Sequence, residues 1–213
     1  MASGPGASRP AFVLPKIPTI LVYIAGFVPA VWLFYAGISD QLGADPMRYL
    51  EQSLGLWALR FLLGSLAITP LRQLIGINLL RYRRAIGLLA FYYAALHLLT
   101  YLLLDKQLDM PVIVADILKR PYITIGMISF IVLIPVAITS NNASIRKLGG
   151  KVWARVHKLV YVAVAGAALH FLLLVKSWPM EPLVYAAIAA GLLLYRVARP
   201  LVKRPQPRRR AAA

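Results

Sequence analysis

Cysteine is missing from all 213 residues, so disulfides, iron–sulfur ligation and thiolate ligation of a metal are excluded. Acidic side chains are scarce as well, with seven Asp and Glu against 24 Lys and Arg, a formal net charge of +17. There are only three histidines: His97, His157 and His170. Charged residues make up 15% of the chain and hydrophobic ones 60%, too little charge and too much apolar surface for an ordinary soluble domain. No G-x-G-x-x-G phosphate-binding turn follows a strand-like run, so the chain is not expected to draw hydride from a nicotinamide cofactor unaided.

What the chain does have is long apolar runs of the length a bilayer demands. Six are legible: Ile17–Ile38, Ser53–Ile68, Ala85–Leu104, Tyr122–Thr139, Val152–Val175 and Pro182–Ala198. The second is short and is expected to continue through Thr69 and Pro70 toward Arg72. The first is too long for a removable signal peptide and is read as a span. The fold class expected is therefore an all-α membrane protein, a bundle of six transmembrane helices. Residues 17–199 would form the bundle, with tails at 1–16 and 200–213, the second of them basic.

Charge placement gives an orientation. Arg72, Arg81, Arg83 and Arg84 lie between spans two and three; Arg146, Lys147 and Lys151 lie between spans four and five. Arg199, Lys203, Arg204 and Arg208-Arg209-Arg210 follow span six. Asp40, Asp45, Glu51, Asp105, Asp109, Asp116 and Glu181 all fall on the opposite side. The positive-inside rule then places both termini and the basic loops in the cytoplasm. The basic excess is read as topology and lipid contact, not as nucleic-acid binding.

An ionisable side chain deep in a bilayer is costly unless paired or used. His97 lies about 18 Å above Ala85 on a rising span, and His170 about 9 Å below Lys176 on another rising span. Both belong to the outer half of the membrane, at similar depth. Two imidazoles so placed suit the axial positions of a low-spin haem iron. With no cysteine, such a haem would be non-covalent and of b type. The alternative is that each histidine is an interhelical hydrogen-bonder.

Three further positions belong to this reading. Arg60 sits inside the apolar run Trp57-Ala58-Leu59-Arg60-Phe61-Leu62, and no acidic residue is expected within any span to neutralise it. Haem propionates would supply the anion; the alternative is a snorkelling side chain. His157 lies about 20 Å below His170 and rotated about 140° from it on an ideal helix. Facing one seam would require the helix to distort, for instance near Gly166. His157 is a candidate inner haem ligand, flavin or quinone contact, or loop cap. Arg83 and Arg84 stand where a fourth histidine would complete a second haem site, and with Arg146, Lys147 and Lys151 they are candidates for attracting a flavin phosphate.

The segments that carry these residues resemble a known family. They are Trp57-Ala58-Leu59-Arg60, Thr69-Pro70-Leu71-Arg72, and Arg83-Arg84-Ala85-Ile86-Gly87-Leu88 leading through Phe91 and Tyr93 to His97 and Tyr101. Then come Thr139-Ser140, Arg146, Leu148-Gly149, Trp153, His157, Tyr161 and His170. From about Pro18 to Arg199 the chain resembles the ferric-reductase-like transmembrane proteins, and most closely the MsrQ family of haem-binding subunits. The resemblance implies a b-haem electron conduit in the bacterial inner membrane, with His97 and His170 as axial ligands and His157 as the third family histidine. It implies a periplasmic molybdopterin-containing partner that reduces methionine sulfoxide in oxidised proteins. It also implies electrons drawn from quinone or a cytosolic flavin reductase, and FMN binding. One haem is expected; arginine in place of the fourth histidine leaves a second open. Two rivals stand beside this: a haem conduit that reduces ferric iron or another acceptor directly, and a cofactor-free transporter or scaffold.

Overall fold

A computed structural model of the chain describes residues 17–174 and 179–202. The expected tail at 1–16 lies outside the described residues, as do residues 203–213 of the tail expected at 200–213, with its basic run; the last helix runs on to Val202. Eight α-helices follow in order: α1 Thr19–Ile38, α2 Pro46–Pro70, α3 Arg83–Leu99, α4 Met110–Lys119, α5 Pro121–Ile138, α6 Asn142–Val156, α7 Leu159–Leu174 and α8 Met180–Val202. Six segments are long and apolar enough to cross a membrane: Thr19–Ile38, Pro46–Ile75, Leu80–Asp105, Pro121–Ile138, Asn142–Leu174 and Met180–Ala198. All six correspond to the runs read from the sequence.

Their ends differ from the reading for identifiable reasons. Span two begins at Pro46, seven residues before Ser53, because Asp45 caps it by accepting from the Arg48 amide while proline occupies the first turn. It does run on past Pro70, as a wide π-type turn over Leu71–Ile75 that stops at Gly76, which has φ 86°. Span three likewise ends in a π-type turn, Thr100–Asp105. The short helix α4 was not legible as an apolar run; Asp109 caps it through the Val112 amide. Span five is not one helix. Asn141 caps α6, Gly149 bends it at φ 75°, and the chain breaks at His157 and Lys158 before α7 begins. The distortion allowed for near Gly166 is thus found nine residues earlier, and α7 runs unbroken through Gly166.

The most extensive packing is α2 on α3 and α5 on α7, two antiparallel-connected pairs that together form the centre of the bundle. Leu59, Leu62, Leu63, Leu66, Ala90, Leu133, Ala163, Val164 and Ala168 make the shared core. A second core joins Ala30 and Leu33 of α1 to Leu50, Leu54 and Tyr93. Small residues allow the close approach expected when lipid gives no hydrophobic drive between helices. Gly166 is the tightest case, with Ser129 of α5 occupying the space a Cβ would need. Outward faces stay apolar: Ile24, Val28, Val31 and Trp32 of α1 are all more than half exposed, as a lipid-facing surface should be.

The acidic end of the bundle is not free of cations. Asp116 is held by Lys106 at 3.3 Å, Arg120 at 3.4 Å and the Tyr101 hydroxyl at 3.4 Å. Lys106 also meets Asp105 at 2.9 Å, and this contact holds its ammonium above the ordinary lysine range. The network ties the end of span three to α4 and to the entrance of α5.

Candidate metal and cofactor centre

Helices α3 and α7 bring His97 and His170 together. Their ring centroids are 6.2 Å apart, with the planes at 73°. Each ring is fixed by a backbone carbonyl of the neighbouring helix. His97 Nδ1 lies 2.8 Å from Glu51 O on α2, and His170 Nδ1 lies 2.6 Å from Tyr122 O on α5. A carbonyl only accepts, so each Nδ1 carries the proton and each Nε2 keeps its lone pair. Among the described residues neither Nε2 has a hydrogen-bond partner.

This arrangement fits a metal held between the two rings. With metal–nitrogen bonds of about 2 Å, rings at this separation would be the residues to hold such a metal between them. The Nδ1–carbonyl contact is also the usual outer partner of a ligating imidazole, since it fixes the tautomer and raises ligand basicity. The donor set is purely imidazole. No group of three or more metal-ligating side chains forms among the described residues. The competing reading was an interhelical hydrogen bond; each histidine makes one, but through only one of its two nitrogens.

Two glycines shape these seats, and neither was singled out by sequence reasoning. Gly55 lies one turn after Glu51, and Gly126 one turn after Tyr122. A Cβ at Gly55 would stand 3.2 Å from His97 Nδ1; at Gly126 it would stand 2.7 Å from His170 Nδ1. The available signal was a glycine interrupting the apolar span that flanks each histidine, although span two carries a second one, Gly64.

Arg60 is placed differently from the expectation. Its side chain is 39% exposed rather than buried, and an anion is present: Glu181, inside α8, at 3.9 Å. Its Nε donates to the Tyr185 hydroxyl at 2.7 Å, and its guanidinium lies over Trp57 at 5.0 Å. The expectation that no acidic residue falls within a span fails for Glu51 and Glu181, because α2 and α8 start earlier than their apolar runs do. Arg60 also borders a cleft of ≈ 570 Å³ between α1 and α2, which Trp32, Gln41, Tyr49 and Trp57 help to line.

His157 stands apart from the pair, at the α6–α7 break. Its ring stacks on Trp153 at 3.8 Å and its Nε2 lies 3.2 Å from Thr139 Oγ1. That hydroxyl donates to Pro135 O at 2.6 Å, so it accepts from His157, and the imidazole lone pair is left on Nδ1. Arg83 and Arg84, in the first turn of α3, lie near enough to act on the charge of His157. Arg84 donates to Asn142 Oδ1 at 2.8 Å, which links α3 to the start of α6. Two arginines at a helix N-terminus oppose the helix dipole, an arrangement that a bound anion relieves.

The family described as "Ferric reductase like transmembrane component" matches residues 53–168, a stretch that contains His97 and His157. Proteins named protein-methionine-sulfoxide reductase heme-binding subunit MsrQ, from Brucella ovis, Brucella canis and Brucella melitensis biotype 2, are each 61% identical over 187 residues. The match covers 88% of this chain and 84% of each relative. Six spans, a facing imidazole pair and likeness along nearly the whole length lead to one placement: the chain belongs to the MsrQ family of multi-pass, ferric-reductase-like transmembrane proteins.

Proposed function

We propose that this chain is the haem-binding membrane subunit of a methionine sulfoxide reductase system. It would hold one b-type haem between His97 and His170 and relay electrons to a periplasmic molybdopterin-containing partner that repairs oxidised proteins. The observation that carries this is the pair of carbonyl-anchored imidazoles with centroids 6.2 Å apart. Haem supplies a one-electron couple that no side chain here provides. The protein's own part is to fix the two rings, keep both Nε2 lone pairs available and hold the pair half-buried among apolar helices. The relatives' printed name supports both the haem and the partner system.

The electron donor enters this reading at one of two places. The cluster of His157, Arg83 and Arg84 on the basic side suits the phosphate of FMN or the flavin of a cytosolic reductase. His157 serves there as a contact, with its Nε2 on Thr139 Oγ1 and its Nδ1 lone pair left available to a cofactor. The cleft beside Arg60 and Trp57 suits a quinol headgroup. The location consistent with the family and with the charge asymmetry is the bacterial inner membrane, basic loops inward.

An absorption spectrum of the purified protein tests the central statement. Six-coordinate low-spin haem gives a Soret band and sharp α and β bands on reduction. His97→Ala and His170→Ala should each abolish that spectrum. A colourless wild-type protein, or bands that survive in both variants, would overturn the assignment. Reduced protein should then be re-oxidised by the purified periplasmic reductase with methionine sulfoxide present; ferric citrate as the only effective oxidant would favour direct iron reduction.

A further inference from the structure

Both imidazoles rest at the one kind of place on a helix where a carbonyl can be left bare. Cβ atoms tilt toward the helix N-terminus, so the side chain of residue i+4 leans over the carbonyl of residue i. Glu51 O accepts from His97, and four residues on stands Gly55; Tyr122 O accepts from His170, and four residues on stands Gly126. The same offset thus occurs twice, on α2 against α3 and on α5 against α7. A carbonyl already engaged in the helix ladder has a second lone pair, which a neighbouring ring can reach only if nothing covers it.

The closeness belongs to these two positions and not to glycine in the bundle generally. A Cβ at Gly64, also on α2, would meet nothing nearer than Ile86 Cγ2 at 3.8 Å, and Gly87 and Gly191 have nothing within 4 Å. Gly26 and Gly166 are crowded too, but by Leu89 and Ser129. At Gly126 the added carbon would stand 2.7 Å from His170 Nδ1 and 3.0 Å from its Cε1. At Gly55 the nearest approaches are 3.2 Å to Nδ1 and 3.3 Å to Cε1 of His97.

We infer that Gly55 and Gly126 are positioning residues for the axial ligands: each bares the carbonyl that orients its imidazole and makes that ring a stronger donor to iron. The inference rests on the reading of His97 and His170 as haem ligands. Losing the Nδ1–H···O bond weakens the imidazole as a donor, which favours ferrous over ferric iron and moves the midpoint potential upward. The two sites should respond unequally, because the ring at Gly126 has to move while that at Gly55 needs to give only a few tenths of an ångström.

The test uses full-length protein in detergent, loaded with haem, with Gly126→Ala, Gly55→Ala and Gly64→Ala compared by EPR g values, carbon monoxide binding and redox titration. G126A is expected to lose the low-spin signal and bind carbon monoxide. G55A is expected to stay low-spin with altered g values and a raised potential. G64A should match wild type in every reading. Should G126A fail to accumulate, G55A alone decides, since its contact is mild. Unchanged g values and potential in G55A would overturn the inference, as would a G126A protein that matches wild type. Failure of the underlying ligand reading is recognised separately, by haem retained in His97→Ala and His170→Ala.

Discussion

At the scale of single residues, Tyr93 shows how a polar group earns burial in an apolar bundle. It is fully buried, and its hydroxyl donates to Gly26 O at 2.7 Å and accepts from the Ala30 amide at 2.9 Å. Those two groups are i and i+4 on α1, beside Pro29, so the hydroxyl is inserted where the proline opens the ladder. Tyr93→Phe leaves both without this partner and should cost about 1–3 kcal/mol. The check is a melting curve in detergent; an unshifted midpoint would show that α1 closes its own ladder. Tyr93 was legible only as part of a family motif, because its partners lie more than sixty residues away. The exposure and ion partner of Arg60 were not legible for the same reason. Its aromatic and acidic neighbours on α8 are about 120 residues distant, and local pattern carries no trace of them.

Between elements, α5 and α7 meet through Gly166 and Ser129, whose hydroxyl turns back to Ile125 O at 2.7 Å. Gly166→Ala would drive its methyl group into that hydroxyl, yet the same methyl would lie 3.4 Å from Ser129 Cβ, an ordinary contact. The single variant is therefore expected to lower stability by about 1–3 kcal/mol through overpacking. Adding Ser129→Ala should restore most of it, read as the coupling term of a double-mutant cycle. At the other connection, the Lys106 ammonium is raised above its ordinary value chiefly by its hydrogen bond to Asp105. A raised folded-state value means the stabilisation is complete below the free-lysine range and is lost as pH climbs through the folded value. Wild-type stability should thus hold steady up to about pH 10 and then fall, while Lys106→Met lacks that alkaline loss. The spans were legible because apolar length is a strong signal. Helices α4 and α6 were not, because caps at Asp109 and Asn141 rather than apolar runs define them.

For the whole molecule, the absence of cysteine gives a clean background for mapping orientation. Met110→Cys, at the exposed start of α4, should react with an impermeant maleimide on intact spheroplasts. Lys147→Cys, in exposed α6, should react only after lysis. The reverse pattern would invert the assignment of the basic loops. One arrangement in the bundle reaches further. The two imidazoles belong to separate helix pairs, α2 with α3 and α5 with α7, each anchored within its own pair. On the proposed ligand reading, His97 and His170 would join the two pairs through a shared tetrapyrrole, so that pigment uptake and maturation of the subunit would become a single event. Cells deprived of iron should accordingly clear the unfilled chain by membrane proteolysis instead of storing it.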